Sequence, residues 1–216
     1  GSAARWLASR NVLTRPAYDA LDAQARQKAL TVAGVDAQET LEKIRDALAD
    51  NVREGASHAS FRAKVLEAVD AGTFLSPRHL EVVFRTNVQT AFSEGQLSVL
   101  QNPRVQQGFP YAAYDAIHDS RARHEHLAME HHGIGSTNVY RSDDPVFQTF
   151  RPPWSYSCRC SWTPLTVRQA ADAGVPEARQ WLASGVEPPV PARVPMPPFA
   201  PPVGFQRAVA SAPLSV

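Results

Sequence analysis

Residues 114–134 read YDAIHDSRARHEHLAMEHHGI, and residues 140–160 read YRSDDPVFQTFRPPWSYSCRC. Neither stretch keeps the 3.6-residue period of a long helix. Residues 110–117 are rich in Tyr and Ala with a polar end and predict a strand. Residues 120–132 predict a short helix closed by Gly133, and residues 137–140 and 157–163 predict two further strands. Short strands among Gly and Pro turns, beside a helix-rich region, predict an α+β fold: a small mixed module built on a long helix.

Upstream the pattern is helical. Arg15-Pro16 opens a first predicted helix with Leu21, Ala25, Lys28 or Ala29, and Val32 on one stripe. Asp36 and Glu39 have capping-box spacing ahead of an apolar face, Leu41, Ile44, Leu48 and Val52, that stops at Gly55. A third helix is predicted from Ser57 through Phe61, Val65 and Val69 to Gly72. Ser76 as N-cap and Pro77 in the first turn launch the longest, with Leu80, Val83, Phe84, Val88, Ala91 and Phe92 at helical spacing until Pro103. The expected organisation is an N-terminal helical region over 1–75, a module over 76–165, a short helical connector over 166–186 and a proline-rich extended tail over 187–216.

That tail holds most of a proline cluster that begins at Pro176. From Glu187 onward no apolar period survives, and PPVPARVPMPPFAPP favours extended polyproline II. One reading is a linker or arm without a core of its own. The other makes Val190, Val194, Met196, Phe199 and Phe205 docking side chains that order on a neighbour.

The 216 residues are 44% hydrophobic and 20% charged, which excludes a fibre and a wholly disordered chain. A net charge of +1 gives no broad field to attract nucleic acid or anionic lipid. No apolar run has the length of a membrane helix, and no secretory signal pattern opens the sequence. Cys158 and Cys160, with only Arg159 between them, are too close for an unstrained bridge. These features predict synthesis in a reducing, intracellular setting.

Residues suited to binding metal or moving protons crowd between Asp115 and Trp162. They include His118, Asp119, His124, His126, His131, His132, Asp143, Asp144, Cys158 and Cys160. A Cys-x-Cys pair with an imidazole from a helix suits zinc, so His126, Cys158 and Cys160 are the candidate ligands. His124, His131, His132 and Asp119 compete for the fourth position. The alternative is two small buried cysteines on a strand beside a solvated histidine face. Metalloprotease spacings are absent: Leu127 and Ala128 stand where a second zincin histidine belongs, and the His126 to His131 interval does not fit the inverted motif. Asp143-Asp144 before Pro145 reads as a helix or turn initiator. Arg121, Arg123, Arg141, Arg151 and Arg159 read as ion-pair partners of Asp115, Asp119, Asp143 and Asp144. Arg85 and Asn87, among apolar positions of the long helix, are expected to hold backbone of the following loops.

Taken in order, the two opening stretches resemble the phage Mu protein F-like head-morphogenesis (minor head protein) family. RTNVQTAFSEG at 85–95, and LTVAGV at 30–35 with LEKIRDAL at 41–48, are similar to it as well, so the resemblance covers roughly residues 15–165. It places Asp119, Arg121, Arg123, His126 and Gly133 on a first signature. Asp143, Asp144, Pro152, Pro153, Cys158, Arg159 and Cys160 fall on a second. The chain departs from relatives that carry a cysteine pair at the positions of Arg123 and His126 and a histidine at that of Ser155. A zinc site here would therefore have to recruit another histidine or remain incomplete.

The resemblance implies a minor structural protein of a tailed-phage or prophage head, made in the bacterial host cytoplasm and incorporated into the virion near the portal. Its implied partners are portal, major capsid and scaffolding proteins, with no membrane and only weak contact with packaged DNA. It implies head assembly or DNA delivery and no catalytic cycle, with the His/Cys cluster as a structural staple around zinc. Two further readings are kept: a metal-dependent hydrolase, nuclease or toxin-like enzyme using Glu125 or Asp119 as base, and an internal DNA-contacting ejection protein.

Overall fold

A computed structural model describes residues 2–21, 29–30, 32, 35, 37–68, 76–100, 102–189, 191–202 and 205. Two compact units divide the chain, Gly1–Ser98 with Ser155–Ser157 and Val99–Trp154 with Cys158–Val216. The described elements are ten helices and five short strands, an α+β composition.

The first unit is helical. It contains α1 (Ser2–Ala8), β1 (Asn11–Val12), α2 (Arg15–Asp19), β2 (Ala29–Leu30), α3 (Gln38–Glu54) and α4 (His58–Ala68), and α5 (Pro77–Leu100) as far as Ser98. Leu41, Ile44 and Leu48 recur on one face of α3 and are fully buried, joined by Leu7 of α1, Phe61 and Val65 of α4, and Leu80 and Val83 of α5. α3 ends as its sequence requires: Gly55 takes a φ of 66° and its N–H returns to Asn51. Ser76 caps α5 through its hydroxyl, which accepts from the His79 amide at 3.2 Å.

Four expectations for this unit change. The stripe from Leu21 to Val32 is not one helix. α2 stops at Asp19, and Ala29–Leu30 instead pair in parallel with Asn11–Val12, burying Val12 and Leu30 together in the core; residues 22–28 lie outside the described residues. α1 precedes the first predicted helix, with Ala3, Ala4 and Leu7 turned inward. Residue Ala37 stands at the N-cap of α3, and Asp36 lies outside the described residues, as do Val69 and Gly72. Arg85 and Asn87 are engaged within α5, Arg85 with Glu81 and Asn87 with the Val83 carbonyl, and not with later loops. Each partner sits four residues back, one helical turn away, so no loop is needed to satisfy them.

The second unit is built on a three-stranded antiparallel sheet. Its elements are α6 (Pro103–Gly108), β3 (Tyr111–Asp115), α7 (His124–Ala128), β4 (Val139–Arg141), α8 (Pro145–Phe150), β5 (Ser161–Leu165), α9 (Val167–Asp172) and α10 (Pro176–Ser184). The strand order is β4-β3-β5, with Ala112 opposite Tyr140 and Pro164. Side chains alternate across the sheet. Tyr111, Ala113, Val139 and Leu165 pack with Ala170, Ala171, Ala178 and Trp181 of α9 and α10. Ring contacts to Phe147 of α8 come from Tyr140 and Trp162. Residues 166–186, expected as a connector, thus form a layer of the core, and Thr166 with Gln169 completes a capping box at the start of α9. The tail is extended from 191 to 202, yet Ala192 and Val194 pack on the same core and Pro197 is buried. Met196 is 56% exposed, and Val190 lies outside the described residues.

Gly133 is fixed by space and not by dihedral, since its φ is −72°. A methyl there would enter the carbonyl oxygens of Thr137 and Val139, the former at 2.6 Å. Gly133→Ala is expected to lower stability by about 1–3 kcal/mol in urea unfolding. Buried Glu177 accepts the Tyr111 hydroxyl at 2.8 Å and the Ala192 amide at 2.6 Å, and stands 3.5 Å from the Arg141 guanidinium. Burial is the main cause that pushes the Tyr111 phenol up, with the Glu177 carboxylate adding to it. Glu177→Ala is expected to cost about 2 kcal/mol or more by the same measurement, because it strands a hydroxyl and removes a carboxylate from a buried cation.

Candidate metal centre

His126, Cys158 and Cys160 meet inside the second unit, each less than 5% exposed. The imidazole projects from α7, and the thiols sit just before β5, the strand that pairs along β3. His126 Nδ1 lies 3.2 Å from the Cys160 sulfur and 3.6 Å from that of Cys158. All three donor atoms lie within 4.8 Å of one another. Tetrahedral zinc with Zn–S near 2.3 Å and Zn–N near 2.0 Å sets adjacent donors about 3.6 Å apart. The donor set and its separations therefore suit zinc.

Aromatic side chains wall the centre. Trp154 stacks on the His126 imidazole at 3.9 Å and 13°, and its indole N–H donates to the Tyr114 hydroxyl at 3.0 Å. The Tyr114 hydroxyl in turn hydrogen-bonds Cys160. The Cys160 thiol is lowered, first by the hydrogen bond from Cys158 and then by those from His126 and Tyr114, against the opposing effect of burial. Cys158 is raised, by its bond to Cys160 and by burial, so the two sulfurs share a hydrogen bond that favours a single thiolate between them. A thiolate is the form that binds metal.

The residue between the cysteines is pinned from outside. Both terminal guanidinium nitrogens of Arg159 donate to Asp119 at 2.6 Å, and the Arg121 amide donates to the same carboxylate. The bond from Arg159 leads in holding Asp119 well below the usual carboxylate range. Below α7, Tyr140 donates to the Met129 carbonyl at 2.6 Å, and Glu130 accepts the Ala116 amide while meeting His118.

The candidates for a fourth ligand are elsewhere. His124 and His131 are exposed, His132 Nε2 reaches the Pro195 carbonyl at 2.6 Å, and Asp119 is taken by Arg159. Among the described residues, only His126, Cys158 and Cys160 form a group of three with metal-ligand reach. The other singled-out residues serve the frame. Arg123 stands at the N-cap of α7, and Asp144 caps α8 by accepting the Val146 amide at 2.8 Å. Asp143 pairs with Arg141 and Arg193, and Pro152 and Pro153 are buried beside Trp154 in sequence, joined by a cis bond. Sequence reasoning did not single out Tyr114, Trp154 or Glu177. The available signals were a tryptophan directly after a Pro pair and an acid in the first turn of a short helix.

Comparison with known proteins adds kinship to this geometry. Residues 42–163, which include all three donors, match the family described as phage Mu protein F like protein. The chain is 32% identical over 157 residues to the Mu-like prophage FluMu F protein of Haemophilus influenzae, covering 66% of this chain and 36% of that protein. It is 28% identical over 171 residues to the putative capsid assembly protein F of Escherichia phage Mu, covering 71% of this chain and 37% of that protein. The chain thus spans little more than a third of the length of these relatives, and no solved structure matches it. With the family match running over more than half its length, from α3 to β5, the chain belongs to the phage Mu protein F like family.

Proposed function

We propose that the chain is part of a structural protein of a tailed-phage or prophage head, acting in head assembly. The observation that carries this is the family match across 42–163, together with the name of the phage Mu relative as a putative capsid assembly protein. Within that reading, the protein joins the head beside the portal, contacts portal, capsid or scaffolding subunits and takes part in DNA delivery, and it resides in the virion. No helix among the described residues is long and apolar enough to cross a membrane.

The buried centre acts as a staple. His126, Cys158 and Cys160 would hold one metal ion in place of their mutual hydrogen bonds, which would tie α7 to the segment leading into β5. His126, Cys158 and Cys160 would be the protein's donors to a zinc ion, which would supply cross-linking and no catalytic step. A structural role is favoured over hydrolysis by where the acids lie. Asp119 is held by Arg159, and Glu125 is exposed to solvent while the donors are buried, so neither is poised at the sulfurs as a base.

The protein purified with zinc in the medium is expected to carry about one zinc per chain. Cys158→Ser and Cys160→Ser should each lose it and lower the melting temperature by about 5 °C or more. Metal-free protein whose melting is unmoved by Cys158→Ser removes zinc from this reading. For the assembly role, the immobilised chain is expected to retain portal protein from a phage lysate, and the full protein should appear in procapsids. Its absence from both procapsids and mature particles would reject a head function.

A further inference from the structure

The proline-rich segment is seated on a surface built from β4, α8 and α10 and the residues beside them. Glu187 meets Arg141 at 2.6 Å, and Arg193 makes a two-pronged pair with Asp143 at 2.9 and 2.8 Å. The Ala192 amide donates to Glu177 and the Val194 amide to Asp144, while the Pro195 carbonyl lies against His132. Phe199 then lies edge-on to Phe150 at 5.6 Å and parallel to Trp154 at 6.1 Å. Four of these receptor groups also have a place in the fold that does not involve the segment. Asp144 caps α8, Glu177 accepts the Tyr111 hydroxyl, Arg141 lies over the Tyr111 ring, and Trp154 stacks on His126. A preformed receptor of this kind loses little freedom on binding.

The occupant has a register. Its three side-chain anchors, Glu187, Arg193 and Phe199, recur every six residues. Polyproline II has three residues per turn, so a six-residue repeat returns to the same face after two turns. Met196, between the last two anchors, is 56% exposed, and prolines at 188, 189, 191, 195, 197 and 198 restrict the chain before it docks. The acceptors for Ala192 and Val194 are carboxylates, not a strand edge, so the backbone is read by side chains.

We propose that this surface is a recognition groove for an extended, proline-rich peptide, with residues 187–199 as its built-in occupant, and that it takes the same segment when offered as a separate chain. Two copies of the protein could then exchange these segments with no new contact chemistry. The geometry needs no metal at the neighbouring centre and no other head protein.

The test uses the full chain with Arg193→Glu and Phe199→Ala in its own segment, titrated with a fluorescent peptide of residues 187–202 and read by anisotropy. The peptide is expected to bind saturably, at least tenfold more tightly than a peptide carrying Arg193→Glu, and at least tenfold more tightly than it binds the unaltered chain, whose groove is filled. Binding should weaken as salt is raised, because two of the anchors are ion pairs. A scrambled peptide that binds equally well, or no saturation at millimolar peptide with the double variant folded by circular dichroism, overturns the groove. Should the double variant not fold, hydrogen exchange on the unaltered chain decides. The amides of Ala192 and Val194 are expected to exchange at least tenfold more slowly than that of Met196, and equal rates overturn the proposal.

Discussion

Two sulfurs and an imidazole buried together are the constraint on which the second unit turns. Polar groups taken from water must be given partners, and here the partners are one another, the Tyr114 hydroxyl and an indole face. Meeting that demand fixes much else. His126 must come from a helix short enough to end before Met129 takes the Tyr140 hydroxyl. The cysteines must both face inward while the residue between them points outward, and Arg159 does so into Asp119. The sheet is the frame that makes these meetings reproducible, because β4 and β5 both register on the same strand.

A second polar knot lies around Arg141. This guanidinium is nearly enclosed, and burial alone would lower it; the Glu187 hydrogen bond, Asp143 and Glu177 outweigh that and raise it. One of those acids belongs to the proline-rich segment and another to α10. Electrostatics therefore join three stretches that share no backbone hydrogen-bond ladder. Of these pairs only that with Glu177 is enclosed on both sides; Asp143 and Glu187 are half exposed, and pairs of that kind contribute less.

Much of this was legible in the sequence where local chemistry decides the outcome. Ser76-Pro77 and Gly55 marked helix ends because caps act within one turn, and Asp144-Pro145 marked the start of α8 for the same reason. The three candidate zinc ligands were legible from residue type, and the structure brings them within bonding reach. What escaped depended on distant partners. Ala29 and Leu30 look helical beside Leu21 and Ala25, yet they pair with Asn11 and Val12. The tail carries no apolar period, so nothing in it announces that Phe199 meets Phe150 and Trp154, about fifty residues earlier. The fourth zinc position was open in the sequence, and the competing histidines point elsewhere because backbone carbonyl and solvent claim them.

The register of β5 against β3 also has a consequence in time. Ala113 pairs with Thr163, so the sheet closes over a loop of about fifty residues, and contacts of that sequence separation form slowly. A ribosome adds roughly 5–20 residues per second, so roughly two to eight seconds separate the making of His126 from that of Leu165. During that interval the imidazole waits without its sulfurs. Both thiols, once made, stay open to whatever oxidant, reductant or ion surrounds the nascent chain until β5 pairs. The segment bearing Arg193 and Phe199 is synthesised later still, after every residue of the surface that it meets.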